Sequence, residues 1–400
     1  MDEEDIIRGR YRGMRVCAEC VEEDELRAYI QDVDGRVGCS FCDQDDAPTC
    51  NFLRLMKHVK ECVEAEYDLA ANCLAYESAE GGYLWNDIWD TDTLLTDQVG
   101  IGLPRDNQGE LLEAMVEYLG GHTDWCDRNP YGEDPLDTLR DGWAKFCQVI
   151  QHETRFFLDR WKRPPTPFGV GADPTPAQML NAIGDHIARL DLFRTLPVDT
   201  QLYRVRFCKD GKSCRTPADL GPPPADKAVV SNRMSPPGIV MFYGALDSDT
   251  ALAETVDKPG LYAVATFRNR LPLHLCDFTR LPEIPGFFTR IPDTRPWGRR
   301  DAQFFHDLVD DFSRPIERDD RVHIEYIPTQ VVTEYLRLQF HHEHGMQPLD
   351  GILYPSSRRA GHAAVVLFAD RTVVTGVEPV APGEPDNTWL ELIATQDRNV

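Results

Sequence analysis

Two short cysteine pairs limit what the start of this chain can become. Cys17 and Cys20 stand in "CAEC", Cys39 and Cys42 in "CSFC", and eighteen residues separate the pairs. Each C-x2-C pair suits a tight knuckle whose amide groups point at the thiolates. Two knuckles complete the tetrahedron that zinc prefers. A metal closes a short segment whose apolar residues are too few to close it. Four thiolates leave no open coordination position, so the expected zinc is structural rather than catalytic. The loop between the pairs, "VEEDELRAYIQDVDGRVG", is acidic, which favours a structural or protein-contact role over nucleic-acid binding. The chain has twelve cysteines in all. Its first residues, "MDEEDIIRGR", are acidic and polar and unlike a signal peptide, so reduced thiols and a metal are expected rather than disulfides.

With 400 residues and 42% hydrophobic content, the chain is long enough for two or three domains with real cores. The net charge of -25 repels nucleic acid, anionic membranes and polyanions at long range. Any anion site must therefore be built from a few local arginines. No apolar run reaches the length of a membrane span, so a soluble cytoplasmic protein is expected.

The periodicity predicts four regions: a zinc-ribbon-like segment over 1–50, a helical domain over 51–160, a linker over 161–174, and an α+β domain over 175–400 with a mixed β-sheet. In the helical domain, Leu53, Met56, Val59, Val63 and Tyr67 fall near helical spacing, and "QGELLEAMVEYLGG" is a second helix stopped by a Gly pair. A third helix carries Trp143, Phe146, Ile150 and Phe157 as a core stripe. His152 and Arg155 lie on it, and a lone helical His is more often a hydrogen-bonded structural residue than a catalyst. The linker, "RPPTPFGVGADPTP", is dense in Pro and Gly. Thr175 is the expected N-cap of the next helix, with Pro176 in its first turn. Beyond it, residues 201–207, 238–245, 261–268, 323–340, 351–357 and 363–374 read as β-rich, with short helices between.

Several groups in this last domain stand at element ends, where sites are usually built. Arg204 sits in the strand "LYRVR". Arg233 and Tyr243 bracket a Pro-Pro-Gly turn and strand, Glu254 lies on a short helix, and Ser356 and Ser357 follow "ILYP". Singly, each has a plain structural reading: an exposed strand charge, a scaffold ion pair, a turn serine. Together they offer a guanidinium, an aromatic face, a carboxylate and a hydroxyl.

"LYRVR", "NRMSPPGIVMFYGALDSDTALAE" and "DGILYPSSRRAGHAAVVLF", in that order, resemble the RES domain, named for its Arg, Glu and Ser. The resemblance covers roughly half the chain. The segment "SNRMS" departs from the family's turn, which more often has two glycines and an aromatic after the arginine. The region ahead resembles the HEPN-associated domain found before some RES domains. The resemblance implies a fold similar to that of ADP-ribosyltransferases and consumption of NAD+ by cleavage of the nicotinamide–ribose bond, with water, phosphate or a protein as acceptor. It maps catalytic roles onto Arg204, Tyr243, Glu254 and Ser356, and binding roles onto Arg233, Tyr203 and Ser357. It further implies a bacterial toxin or phage-defence effector, restrained by an antitoxin or regulatory protein, with homo-oligomer formation open.

Those residue types suit that chemistry. Bond cleavage leaves an oxocarbenium-like ribose that a carboxylate stabilises. An arginine binds pyrophosphate through paired hydrogen bonds, and nicotinamide leaves without a strong acid or a metal. Three other readings are weaker. An R-x4-6-H nuclease motif is absent between residues 51 and 161, although the string arises by chance at Arg300–His306 and Arg318–His323. The "HHEH" at His341–His344 reads as the polar end of a helix rather than a metal site. A non-enzymatic adaptor leaves the filled key positions without a role.

Overall fold

The computed structural model describes the chain apart from residues 1–2, 32–35, 78–81, 84–86, 107, 131–134, 159–173, 210–213, 290–296, 316–320 and 379–386. Most of the expected 161–174 linker lies outside the described residues. The chain divides into two compact units, one of residues 1–137 with 284–299, the other of residues 138–283 with 300–400. No helix among the described residues is long and apolar enough to cross a membrane.

In the first unit, strands Arg15–Cys17 and Arg36–Val37 pair antiparallel on either side of Ala47–Asn51. Asn51 then caps the helix Phe52–Glu66, its side chain accepting from Arg54 N at 3.3 Å. That helix buries Phe52, Leu55, Met56, Val59 and Val63, as its 3.6-residue spacing requires. Tyr67 already belongs to a strand. The second helix, Glu110–Tyr118, stops before Gly120 and Gly121, which take the left-handed conformations that glycine permits.

The core of this unit is completed by the 284–299 segment, drawn from far along the chain. Phe288 is 2% exposed within it. The His58 ring donates from Nε2 to the Phe288 carbonyl at 2.9 Å and stacks on Tyr29. Arg299 grips both Glu66 carboxylate oxygens, at 3.0 and 2.8 Å, and lies over Phe287.

The third predicted helix forms as α1, Pro135–His152, and buries Trp143, Phe146 and Ile150. Phe157, expected in its stripe, lies past the helix end and is 67% exposed. From Thr138 on, α1 belongs to the second unit, where Trp143 stacks on Phe146 and donates to Asp311 Oδ2 at 2.9 Å. Thr175 caps α2, Pro176–Arg189, through a reciprocal box with Gln178.

The second unit is built on an eight-stranded mixed sheet. Its strands are β1 (Phe193–Leu196), β2 (Gln201–Phe207), β3 (Phe242–Ala245), β4 (Leu261–Asn269), β5 (Leu273–Asp277), β6 (Gly351–Pro355), β7 (Ala363–Leu367) and β8 (Leu390–Asn399). The spatial order is β8-β4-β2-β3-β7-β6-β5-β1, antiparallel except for the β5–β6 pair. Strand alternation divides β2 between two cores: Leu202 joins Phe242, Phe267 and Leu353 on one face, while Val205 joins Ala245 and Ala251 on the other. Three helices of this unit matter as well: α3 (Ser248–Thr255), α4 (Arg299–Ser313) and α5 (Ile327–Leu338).

Residues 323–340, read from sequence as β-rich, are mostly helical. Their β-branched and aromatic content suggests a strand, but Val332, Tyr335 and Leu336 are buried at helical spacing, and Pro328 sits in the first turn of α5. "HHEH" ends a short helix closed by Gly345 in the left-handed region.

Candidate active site and metal centre

β2 and β3 touch through only one register pair, Tyr203 with Ala245, whereas β2 and β4 pair from Gln201 to Phe207. Gly244 makes that single contact possible, because a Cβ there would lie 2.7 Å from the Tyr203 carbonyl oxygen. The strands therefore splay. Beside the splay opens a cleft of about 540 Å³, a volume usual for small-molecule sites. Val205, Arg233, Tyr243, Glu254, Tyr326 and Tyr354 line it, together with Ser357 and Arg358.

Glu254 reaches the cleft because Asp247 starts α3 at a fixed place. Asp247 caps the helix, accepting from Thr250 N at 2.8 Å and Thr250 Oγ1 at 2.7 Å. It also binds Arg359 Nη1 at 2.7 Å and His362 Nδ1 at 3.2 Å, both from the turn after β6. Burial opposes its ionisation, but the Thr250 and His362 hydrogen bonds and the Arg359 charge pull its pKa down to about 2.

That same turn presents Ser356 to Glu254. The Ser356 hydroxyl, 8% exposed, donates to Glu254 Oε1 and accepts from the amides of Arg358 and Arg359 at 3.2 and 3.1 Å. Ser357 Oγ lies 3.5 Å from Glu254 Oε2. The glutamate, distant in sequence from both serines, is thus held by its carboxylate oxygens.

Phenols surround it. Tyr243 shares a 2.9 Å hydrogen bond with Ser235, and burial pushes its pKa up. Burial also raises Tyr354, helped by the nearby Tyr243 phenol and the Glu254 charge. Both rings stay neutral at ordinary pH and present a polarisable wall with hydroxyl donors.

The arginines and Tyr203 are placed differently from the sequence expectation. Arg204 lies against the Phe242 ring, 5.2 Å from its centroid, and its Nη1 donates to the Tyr243 carbonyl at 2.9 Å. Its Nε is buried with no partner among the described residues, and burial lowers its pKa to about 10. Arg233 borders the cleft, but Nη1 and Nη2 donate to the carbonyls of Phe312 and Arg314 at 2.6 and 2.8 Å. Tyr203 packs toward α3 and donates its hydroxyl to Gln201 Oε1 at 2.7 Å. The structure thus brings Tyr243, Glu254, Ser356 and Ser357 together, ties Arg204 to the Tyr243 carbonyl, and keeps Tyr203 off the cleft wall. Asp247, Tyr326, Tyr354, Arg358, Arg359 and His362 complete the surroundings and were not singled out from sequence. The "DSDT" cap signal was there to be read for Asp247.

In the first unit, the thiols of Cys17, Cys20, Cys39 and Cys42 all lie within 4.8 Å of one another. Sulfur separations of 3.5 Å (Cys17–Cys20), 3.6 Å (Cys17–Cys42) and 3.7 Å (Cys20–Cys39) come close to the ~3.8 Å edge of a tetrahedron with ~2.3 Å zinc–sulfur bonds. Phe41 N donates to Cys39 Sγ at 3.4 Å, as a knuckle should. The donor set fits a structural zinc ion.

Family models match two stretches of the chain. Residues 201–388 match the RES domain, a range that holds the whole cleft. The chain carries a RES domain. Residues 32–164 match HEPN/RES N-terminal domain 1, which takes in the second cysteine pair but not the first. Beyond these, no curated protein and no solved structure matches the chain.

Proposed function

We propose that this protein cleaves the nicotinamide–ribose bond of NAD+, passing ADP-ribose to water or phosphate. The observation that carries the reading is the Glu254 carboxylate, locked by Ser356 at the wall of a tyrosine-lined cleft inside the RES range. As the C–N bond breaks, its electron pair leaves with the ring nitrogen, and neutral nicotinamide departs. Positive charge then builds on the ribose C1′ and O4′, and a fixed carboxylate stabilises it. Serine hydroxyls hold that carboxylate in one rotamer. Neutral phenols pack against the pyridinium ring, whose charge favours their faces. The acceptor then adds to C1′ and loses its proton.

In this reading the fold is ADP-ribosyltransferase-like, and the cysteine cluster holds a structural zinc through Cys17, Cys20, Cys39 and Cys42. Zinc there cross-links the two knuckles and takes no part in the chemistry. Unrestrained NAD+ cleavage would drain a cell, so we assign the N-terminal unit or an antitoxin-like partner the task of restraint, in a toxin or defence setting. Opening the cysteine cluster with Cys39→Ser tests that assignment, and unchanged cellular NAD+ depletion counts against the N-terminal unit.

The full-length protein is incubated with NAD+ and the products are separated by chromatography. Wild type should release nicotinamide, and Glu254→Ala should lose at least about 100-fold in rate while staying folded. Absence of nicotinamide from wild type, or full activity in Glu254→Ala, overturns the proposal. ADP-ribose recovered on protein would make the enzyme a transferase.

A further inference from the structure

Among the described residues, four arginines stand around the cleft, and their partners sort them. Arg204 is tied to the Tyr243 carbonyl and does not line the cavity. Arg233 has both terminal nitrogens on main-chain carbonyls and its guanidinium 5.3 Å from the Tyr326 ring centroid. Arg359 donates from Nη1 to Asp247 and Thr250, at 2.7 and 2.9 Å. Arg358 is different. It lines the cleft, it is exposed, and its side chain has no hydrogen bond or ion pair with any described residue.

We propose that Arg358 is the residue that holds a phosphate group in this cleft. The inference rests on the NAD+ reading above and deepens it by naming the cation that meets the phosphates. A guanidinium presents a planar fork of N–H donors that matches two phosphate oxygens. Arg204 and Arg233 already direct donors at carbonyls, and turning them to a ligand would leave those carbonyls unsatisfied. Arg358 breaks nothing by turning. In a chain of net charge -25, an unpaired guanidinium also supplies the local positive potential that an anionic ligand needs.

Position supports the assignment. The Ser356 hydroxyl that donates to Glu254 also accepts from the Arg358 amide at 3.2 Å. The carboxylate and the base of the arginine are therefore fixed to one atom. In NAD+ only the C5′ carbon separates the nicotinamide ribose ring from the diphosphate. A carboxylate at the ribose and a cation close by is the spacing such a ligand calls for. The same chemistry would serve free inorganic phosphate acting as acceptor, so the test must separate the two sources.

The test compares wild type, Arg358→Ala and Arg358→Lys, all full length. One arm measures ADP-ribose binding by calorimetry and the KM for NAD+ against that for nicotinamide riboside, which carries no phosphate. A second arm titrates inorganic phosphate in the NAD+ reaction. If Arg358 holds the diphosphate, Arg358→Ala weakens ADP-ribose binding and raises the NAD+ KM by about 10- to 100-fold. Cleavage of the riboside is then unchanged, and Arg358→Lys recovers part of the loss. If it holds the acceptor, only the phosphate dependence shifts by that factor. Unchanged values in both arms overturn the inference while leaving NAD+ cleavage standing. Arg358-dependent ADP-ribose binding without nicotinamide release would do the reverse. A wild type that neither binds ADP-ribose nor cleaves NAD+ ends both. The melting temperature of Arg358→Ala should match wild type, because the side chain supports nothing else.

Discussion

Replacing Asp247 with alanine tests how the cleft is held together. The change removes the acceptor of the Thr250 amide at the start of α3, a cap worth about 1 kcal/mol. It also removes the partner of Arg359 at 2.7 Å; with side chains 31% and 39% exposed, that pair is screened and adds about 0.5–1 kcal/mol. The total is about 2 kcal/mol, or ~30-fold in the opening equilibrium of the helix that carries Glu254.

The same residue sets a pH dependence. Its folded pKa of about 2 lies below the ordinary 3.8, so its contribution is complete above the unfolded value and fades as pH falls toward the folded one. Undamped, that depression corresponds to about 2 kcal/mol; at 39% exposure, solvent screening reduces it to about 1 kcal/mol. Hydrogen exchange over residues 246–256, wild type against Asp247→Ala, reads both effects. The wild-type advantage should be ~30-fold near pH 7 and shrink between about pH 4 and pH 2. An advantage below about 3-fold at neutral pH, or one that grows on acidification, refutes the reasoning.

Metal analysis of the purified chain should find zinc, Cys39→Ser should lose it, and a strong chelator should expose residues 15–51 to protease; zinc retained by Cys39→Ser would contradict the four-thiolate site. Phe288→Ala should cost the first unit about 3–5 kcal/mol, because the ring is 2% exposed in its core. Exchange protection in the helix Phe52–Glu66 should fall accordingly, and wild-type protection there would show that the segment is dispensable.

The cysteine pairs were legible because metal spacing is local. Glu254 and Ser356 were legible as positions, since both end short elements, but their direct hydrogen bond joins distant parts of the chain and carries no sequence signal. The partners of the arginines carry no sequence signal for the same reason. Whether a guanidinium meets a ligand or a main-chain carbonyl depends on partners such as Phe312 and Tyr243 that no spacing announces. Residues 323–340 mislead through composition, since β-branched residues sit well in a helix once tertiary packing takes the buried face. The Phe287–Phe288 pair falls in an aperiodic, Pro-containing stretch, "LPEIPGFFTR", that gives no hint of a core role.

That stretch bears on how such a protein can be inherited or re-engineered. A crossover near residue 170 would pass on a first half without the aromatic plug that completes it, and a second half displaying that plug to solvent. The two stretches that match family models are therefore expected to travel through recombination as a matched set. A working chimera should need the 284–299 loop from whichever parent donates the N-terminal unit.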